Sequence, residues 1–197
     1  MKKPYADSCD RNRTPILEVI APLLADKQAV LEIGGGTGQH AIYFAQQMPH
    51  LMWHVSDRLQ NHAGIQTWLD EAALPNVLGP IELDVLQDDW PNIKVDAVYS
   101  ANTAHIMHWR DVEGFIAGVG KQLQADGLFI LYGPFSFGGQ HTSESNAQFD
   151  MRLRQRDPFM GVRDFDELNI LADEAGMKFQ RNYPLPANNR ILLWKKV

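Results

Sequence analysis

The sequence predicts an α/β protein built on a mostly parallel sheet of about seven strands with helices on both faces. Three observations carry that expectation. Short apolar runs rich in β-branched residues alternate with segments whose apolar residues repeat at the helical period. A glycine cluster, Gly34-Gly35-Gly36-Thr37-Gly38, separates the first such run from a helical segment. Acids end three successive runs, at Glu32, Asp57 and Asp84.

The first helix is expected to start with Thr14 as N-cap and Pro15 in its first turn, presenting Ile16, Leu17, Val19, Ile20, Leu23 and Leu24 on one broad side. Pro22 should kink or shorten it. Strand one covers 29–33, and a helix from about Gln39 ends before Pro49. Strand two covers 52–56, a helix opening near Asn61 presents Ile65, Trp68, Leu69 and Ala72, and Pro75 closes it off. Strands three and four are read at 78–83 and 95–100. Val112, Phe115, Ile116, Val119 and Leu123 make the clearest helical stripe, with Gly127 just beyond it, and strand five follows at 128–132. Between Gly133 and Arg163 the pattern breaks around one short helix, as a binding loop or lid would. Asp164 then reads as an N-cap with Glu167 three residues on, before a helix that stops at Gly176 and closing strands at 178–183 and 190–195.

With 197 residues, 45% of them apolar and 21% charged, the chain is expected to be one globular domain, 1–197, with 133–163 as an insertion over the substrate side. A net charge of -6 argues against nucleic acid as a partner. The single cysteine, Cys9, excludes an internal disulfide, and no Cys/His spacing resembles a zinc site, so no metal and a reducing, cytoplasmic setting are expected. Lys2 and Lys3 are followed by Pro4, Asp7 and Asp10 rather than an apolar stretch, so no signal peptide is read, and no run approaches a bilayer-spanning length. A small molecule is the expected partner, rather than a membrane or nucleic acid.

The chemistry concentrates at strand ends. In Val30-Leu31-Glu32-Ile33-Gly34-Gly35-Gly36-Thr37-Gly38 an acid ends a buried strand, and Gly34, Gly36 and Gly38 let the backbone turn tightly and a ligand approach closely. Asp57, 25 residues beyond Glu32, is placed to accept both ribose hydroxyl hydrogens. Asp84 follows strand three beside Val85, so three carboxylates lie along one edge of a parallel sheet, the edge where open α/β folds bind ligands. Taken singly, each acid reads equally as a helix cap or a solvated surface group. Two cofactors compete for this edge. Gly36-Thr37-Gly38-Gln39-His40-Ala41 matches the loose G-x-G-x-x-A form of dinucleotide sites, but an acid at the turn repels a pyrophosphate. S-adenosylmethionine (SAM) has no phosphate and carries a sulfonium and an ammonium, so surrounding acids favour it.

These same residues, Glu32 to Gly38, Asp57 and Leu83-Asp84-Val85, resemble the first three cofactor motifs of class I SAM-dependent methyltransferases. The resemblance implies a Rossmann-like sheet whose strand seven runs antiparallel to the rest, with Glu32 serving the methionine end of SAM, Asp57 the ribose and Asp84 the adenine. More narrowly, the chain resembles an uncharacterised methyltransferase-like family of bacteria and animals, the one that includes methyltransferase-like protein twenty-six. That likeness spans nearly the whole chain and includes Arg11-Asn12, Tyr132-Gly133-Pro134-Phe135, Ser145-Asn146, Leu153-Arg154-Gln155-Arg156, Gly161-Val162-Arg163-Asp164 and Pro186-Ala187-Asn188-Asn189.

In such a fold the stretch after strand four faces the sulfonium and the acceptor, so Asn102 and His105 are the expected catalytic residues, His105 as general base. The rival reading makes them a cap and first turn, a role that suits His108 better. His105 and His108 share an H-x-x-H spacing but lack a third metal ligand. In the insertion, Arg154 or Arg163 is expected to clamp a carboxylate or phosphate, unless Asp150 and Arg154 simply pair at i and i+4. Tyr132, Phe135 and Asn146 complete the expected substrate side, although strand-end aromatics are commonly core. The expected activity is methyl transfer from SAM to a small acceptor, anionic if the arginines face it. The alternatives are a SAM-binding module acting through a protein partner, and a nicotinamide-dependent oxidoreductase.

Overall fold

A computed structural model of the chain describes residues 3–87 and 89–197. Seven strands form the main sheet in the order β3-β2-β1-β4-β5-β10-β9. They are β1 (Ala29–Ile33), β2 (Met52–Asp57), β3 (Val77–Glu82), β4 (Ala97–Ala101), β5 (Leu128–Gly133), β9 (Met177–Leu185) and β10 (Asn189–Lys196). Neighbours from β3 through β5 pair in parallel, and β10 is antiparallel to both β5 and β9. The reversed strand is thus the seventh of this sheet in chain order, as the resemblance implied. Its reversal follows from the short connection: β9 and β10 are joined through Pro186–Asn188 alone, too few residues for a crossover.

Alternation along the strands separates two cores. Val30 of β1 faces one side with Trp53, Val55, Tyr99 and Ile130, under α1 (Asp7–Leu23), α2 (Gln39–Gln47) and α3 (His62–Ala72). Leu31 and Ile33 face the other with Phe129, Leu192 and Trp194, under α4 (Trp109–Gln122) and α6 (Phe165–Glu174). The stripe of α4 buries Val112, Phe115, Ile116 and Val119 against the sheet, each worth about 1.5–3 kcal/mol by area.

Two element starts differ from the sequence reading by two residues or more. Helix α1 starts at Asp7, not with a cap at Thr14, and continues past Pro22 to Leu23. Pro15 removes an intrahelical donor, but Ile16 and Ile20 are fully buried, and their burial holds the turns on either side. Strand four begins at Ala97, two residues later than read, and Asp96 just before it accepts from the Gln28 and Ala29 N–H groups with its side chain. The segment 133–163 holds β6 (Phe135–Phe137), β7 (Gln140–His141) and α5 (Glu144–Arg156), and β8 (Arg163–Asp164) closes a small sheet in the order β7-β6-β8. Ser143 caps α5 by accepting from Asn146 N–H, and Asp164 caps α6 by accepting from Asp166 N–H.

Candidate functional site

Strands β1, β2 and β3 are adjacent and parallel, so Glu32 and Asp57, near the ends of β1 and β2, and Asp84, two residues beyond β3, stand at one edge of the sheet. The glycine turn is stitched to that edge by its backbone. Gly34 and Gly35 N–H both donate to the Ser56 carbonyl at 3.0 Å, and Gly36 N–H donates to Asp57 Oδ2 at 2.7 Å. The other Asp57 oxygen accepts from Arg58 N–H at 2.7 Å and Asn61 Nδ2 at 2.8 Å. Gly34 and Gly36 have φ of 72° and 61°, and a Cβ on Gly34 would lie 2.5 Å from Thr103 Cγ2. The turn therefore needs glycine there for conformation and for space. Gly38, with φ 89°, is the N-cap of α2. Asp84 Oδ1 accepts from Leu86 N–H at 3.1 Å, and Val85 and Leu86 line a groove with Trp90 against α4.

Glu32 is the electrostatic centre of the site. It is 2% exposed, it opposes Tyr99 of β4 in the ladder, and its Oε2 accepts from Trp53 Nε1 at 2.8 Å. Burial raises its carboxyl to about 7, the Trp53 bond works against the rise, and the Asp57 charge adds to it. Among the described residues it forms no ion pair. Among the described residues, the Tyr99 hydroxyl, close to Glu32, and Gln39 Nε2, at the start of α2, are buried without partners, and Cys9 has its thiol pushed up by burial and by Glu32. Buried polar groups are nearly always paired, so an acid lacking a cation beside two orphaned polar groups has the character of a ligand cradle. The start of the chain lies across it: Trp68 Nε1 donates to the Pro4 carbonyl, and Ala6 N–H donates to Gln39 Oε1, both at 2.7 Å.

Near the end of β4, Ser100 Oγ donates to the Ile33 carbonyl at 2.7 Å, and just beyond the strand Asn102, at φ 60°, donates its N–H to the Tyr132 carbonyl at 2.9 Å. His105 is 7% exposed and packs edge-on against Phe149 of α5 with ring centroids 5.2 Å apart. Burial, then the Arg163 charge, lowers its imidazole to about 4, so it is neutral at pH 7. His108 is the N-cap of α4 and exchanges capping-box bonds with Asp111, while its Nε2 lies 2.8 Å from Asp157 Oδ2.

The residues of the expected substrate side separate. Tyr132 is 3% exposed and packs in the core under α1–α3 with Tyr99, Ile130 and Ile191. Phe135 is 1% exposed in the α4/α6-side core, which corrects its reading as a pocket wall: β6 continues directly from β5 and returns the ring to the core. Asn146 Nδ2 donates to Thr142 Oγ1 and to the Asn188 carbonyl, tying α5 to the β9–β10 turn. Arg154 Nε donates to Asp150 Oδ2 at 2.8 Å, the i,i+4 pair that the spacing allowed. Arg163 is 8% exposed with its guanidinium committed to backbone carbonyls, which turns its fork away from the substrate-clamp role. Sequence reasoning gave no site role to Gln39, Tyr99 or Asn12. Gln39 and Asn12 carried a signal, since both lie in motifs singled out in the sequence, and Tyr99 carried none.

Comparison with solved structures shows the fold these elements make. An O-methyltransferase family protein from Burkholderia thailandensis superposes with a TM-score of 0.84 at 14% identity, over 96% of this chain and 57% of that one. The S-adenosylmethionine-dependent methyltransferase SibL, in its apo form, gives 0.81 at 18% identity over 96% and 55%. Human N-acetylserotonin methyltransferase in complex with SAM gives 0.79 at 16% identity over 96% and 53%. The shared feature is the Rossmann-like methyltransferase fold, and the chain spans a little over half the length of these structures. Residues 3–196 match the family described as "Protein of unknown function (DUF938)", and the chain belongs to that family.

Proposed function

We propose that this protein is a SAM-dependent methyltransferase acting on a small, anionic acceptor. One observation carries the reading: the buried, cation-less carboxyl of Glu32 on the rim it shares with Asp57 and Asp84. A sulfonium and an ammonium answer that charge, whereas a pyrophosphate does not. The human structural neighbour, solved in complex with SAM, supports the same cofactor. The narrower kinship with methyltransferase-like protein twenty-six rests on the sequence motifs, among them Gly161-Val162-Arg163-Asp164 and Pro186-Ala187-Asn188-Asn189. We take 1–197 as one SAM-binding domain, 133–163 as its substrate-side insertion, and the cytoplasm as its setting.

SAM supplies a methyl group on a sulfonium that is already a good leaving group, so the work of the protein is positioning and proton handling. Glu32 faces the cationic methionine end, and Gly34, Gly36 and Gly38 admit the ligand close to the backbone. Asp57 accepts from the ribose hydroxyls. Asp84 and Val85 meet the adenine, with the exposed side chains of Leu59 and Leu86 available to its faces. Asn102 orients the acceptor. His105, neutral at pH 7, meets the acceptor, and with its imidazole held to about 4 it is a weak proton acceptor, which suits an acceptor that arrives already ionised and needs only positioning. Tyr132, Asn146 and Arg154 border the acceptor side, with the half-exposed Arg154 guanidinium supplying charge for an anion.

Calorimetric titration with SAM and S-adenosylhomocysteine tests the reading. Saturable binding that weakens at least about tenfold in Asp57→Ala supports it, and no binding at millimolar ligand overturns it. A second reading, a SAM-binding module that acts through a protein partner, is favoured by the exposure of Ile106, Met151 and Phe159 on and beside the insertion. Methyl transfer from SAM to any small carboxylic acid or phenol in a panel decides against it. A fluorescence titration with NADH tests the oxidoreductase alternative in the same preparation.

A further inference from the structure

We propose that Arg163 is a positioning residue, whose guanidinium holds the turn after β4 so that His105 faces the acceptor. This rests on the reading of His105 as the group that meets the acceptor. Arg163 opens β8 and pairs with Phe135 of β6, which places its side chain beneath the 102–108 turn. Its Nε donates to the Ala104 carbonyl at 3.0 Å, and its Nη2 donates to the Met107 carbonyl and, at 2.9 Å, to that of Phe159. Two residues away, Gly161 N–H donates to the His105 carbonyl at 3.0 Å. The carbonyls of residues 104, 105 and 107 are thus all received by 161–163.

That segment is anchored in turn. Asp150 Oδ1 accepts from Val162 N–H at 2.7 Å, while Asp150 Oδ2 accepts from Arg154. The insertion helix α5 therefore bears on the His105 turn twice, through Asp150 and through the ring of Phe149. A planar fork with several fixed donors can bridge carbonyls three residues apart, which an ammonium on a flexible stem does poorly. The Trp109 ring flanks the guanidinium at 5.8 Å. The charged groups facing it are Asp111 of α4, Asp150 and Arg154 of α5, and Glu167 of α6. Its positive charge beside the buried imidazole also favours the neutral ring, in line with the low His105 value.

The test follows imidazole protons by NMR in the full chain and in Arg163→Met and Arg163→Lys. The protein has seven histidines, and the His105 resonance is identified by its absence in His105→Gln. The wild-type midpoint is expected at about 4. In Arg163→Met it should rise by about one unit or more, as the like charge goes and the turn loosens. The Gly161 amide should exchange with solvent at least about tenfold faster in both variants, because lysine keeps the charge but not the fork. S-adenosylhomocysteine affinity should stay within about twofold throughout, since Arg163 is bonded to the turn after β4 and not to the glycine turn. A folded Arg163→Met with wild-type midpoint and wild-type exchange overturns the proposal, as does a collapse of S-adenosylhomocysteine binding, which would mark a scaffold role instead. Should Arg163→Met not fold, unchanged Gly161 exchange in Arg163→Lys overturns it. Failure of the wild-type protein to bind S-adenosylhomocysteine removes the methyltransferase reading, and the two NMR readouts still decide whether Arg163 holds the turn.

Discussion

Cofactor binding should be linked to the ionisation of Glu32. Its carboxyl stands at about 7 rather than at its ordinary 4.5, so burial disfavours the charged form in the free protein by about 3 kcal/mol. A cationic ligand selects that charged form. A unit charge about 4 Å away is worth roughly 4 kcal/mol at an effective dielectric of 20, enough to pull the bound carboxyl back to about 4. Below pH 7 the free protein must then lose a proton to bind, and the apparent SAM affinity should fall roughly tenfold at pH 6 and roughly a hundredfold at pH 5. Calorimetry in two buffers of different ionisation enthalpy should find roughly 0.9 proton released at pH 6 and roughly 0.1 at pH 8. Glu32→Gln should bind more weakly at pH 8 and lose the pH dependence. Trp53→Phe, which removes the indole donor to the carboxylate, should move the midpoint upward. Wild-type affinity that is flat from pH 5 to pH 7, with no proton released, refutes the argument.

Stability should also depend on pH, with two opposing contributions. His40 and His105 are both lowered to about 4 by burial, so between about pH 6.5 and 4 the unfolded chain binds two protons that the folded one does not, and stability falls as the solution is acidified. Glu32 acts in the opposite sense, because its folded carboxyl keeps a proton between pH 4.5 and about 7 and loses stability as pH rises through that window. These three groups together should give an acid slope near pH 5.5 of about 1.4 kcal/mol per pH unit by urea denaturation, with His54, also lowered by burial, adding in the same sense, and the slope should steepen by about 1.4 kcal/mol per pH unit in Glu32→Gln. A slope that the substitution leaves unchanged would remove Glu32 from the balance. Gly34→Ala meets both a positive φ and Thr103, and should cost roughly 2–3 kcal/mol, or about 5–10 °C in Tm by calorimetry. Asp57→Asn places an amide N–H2 group among the Gly36, Arg58 and Asn61 donors, and should weaken S-adenosylhomocysteine binding at least about tenfold, measured by calorimetry.

The row of acids after successive strands was legible in the sequence because its signals are local. A strand ends in Glu32, a glycine run follows, and two further strands end in acids, so the parallel order alone brings Glu32, Asp57 and Asp84 to one edge. The α4 stripe and the Asp164 cap were legible for the same reason, since helical period and capping act within a few residues. The partners of the insertion's side chains were not. Arg154 and Arg163 read alike in the sequence, two guanidiniums in one polar insertion. The fold separates them, pairing one with Asp150 and committing the other to the carbonyls of Ala104, Met107 and Phe159.

Phe135 read as a pocket wall until β6 carried it into the core, and Tyr99 and Gln39 gave no sign that their polar atoms would be left buried and unpaired. The sequence by itself determined the α/β pattern, the glycine turn and the row of acids, because periodicity and turn chemistry are properties of neighbours along the chain. The tertiary structure alone decided that Glu32 is buried with no ion pair among the described residues, that His105 is neutral at pH 7, and that Arg154 pairs with Asp150 while Arg163 bonds backbone carbonyls. Burial, charge pairing and hydrogen-bond partners are set by groups dozens of residues apart, brought together only when the two faces of the sheet are covered.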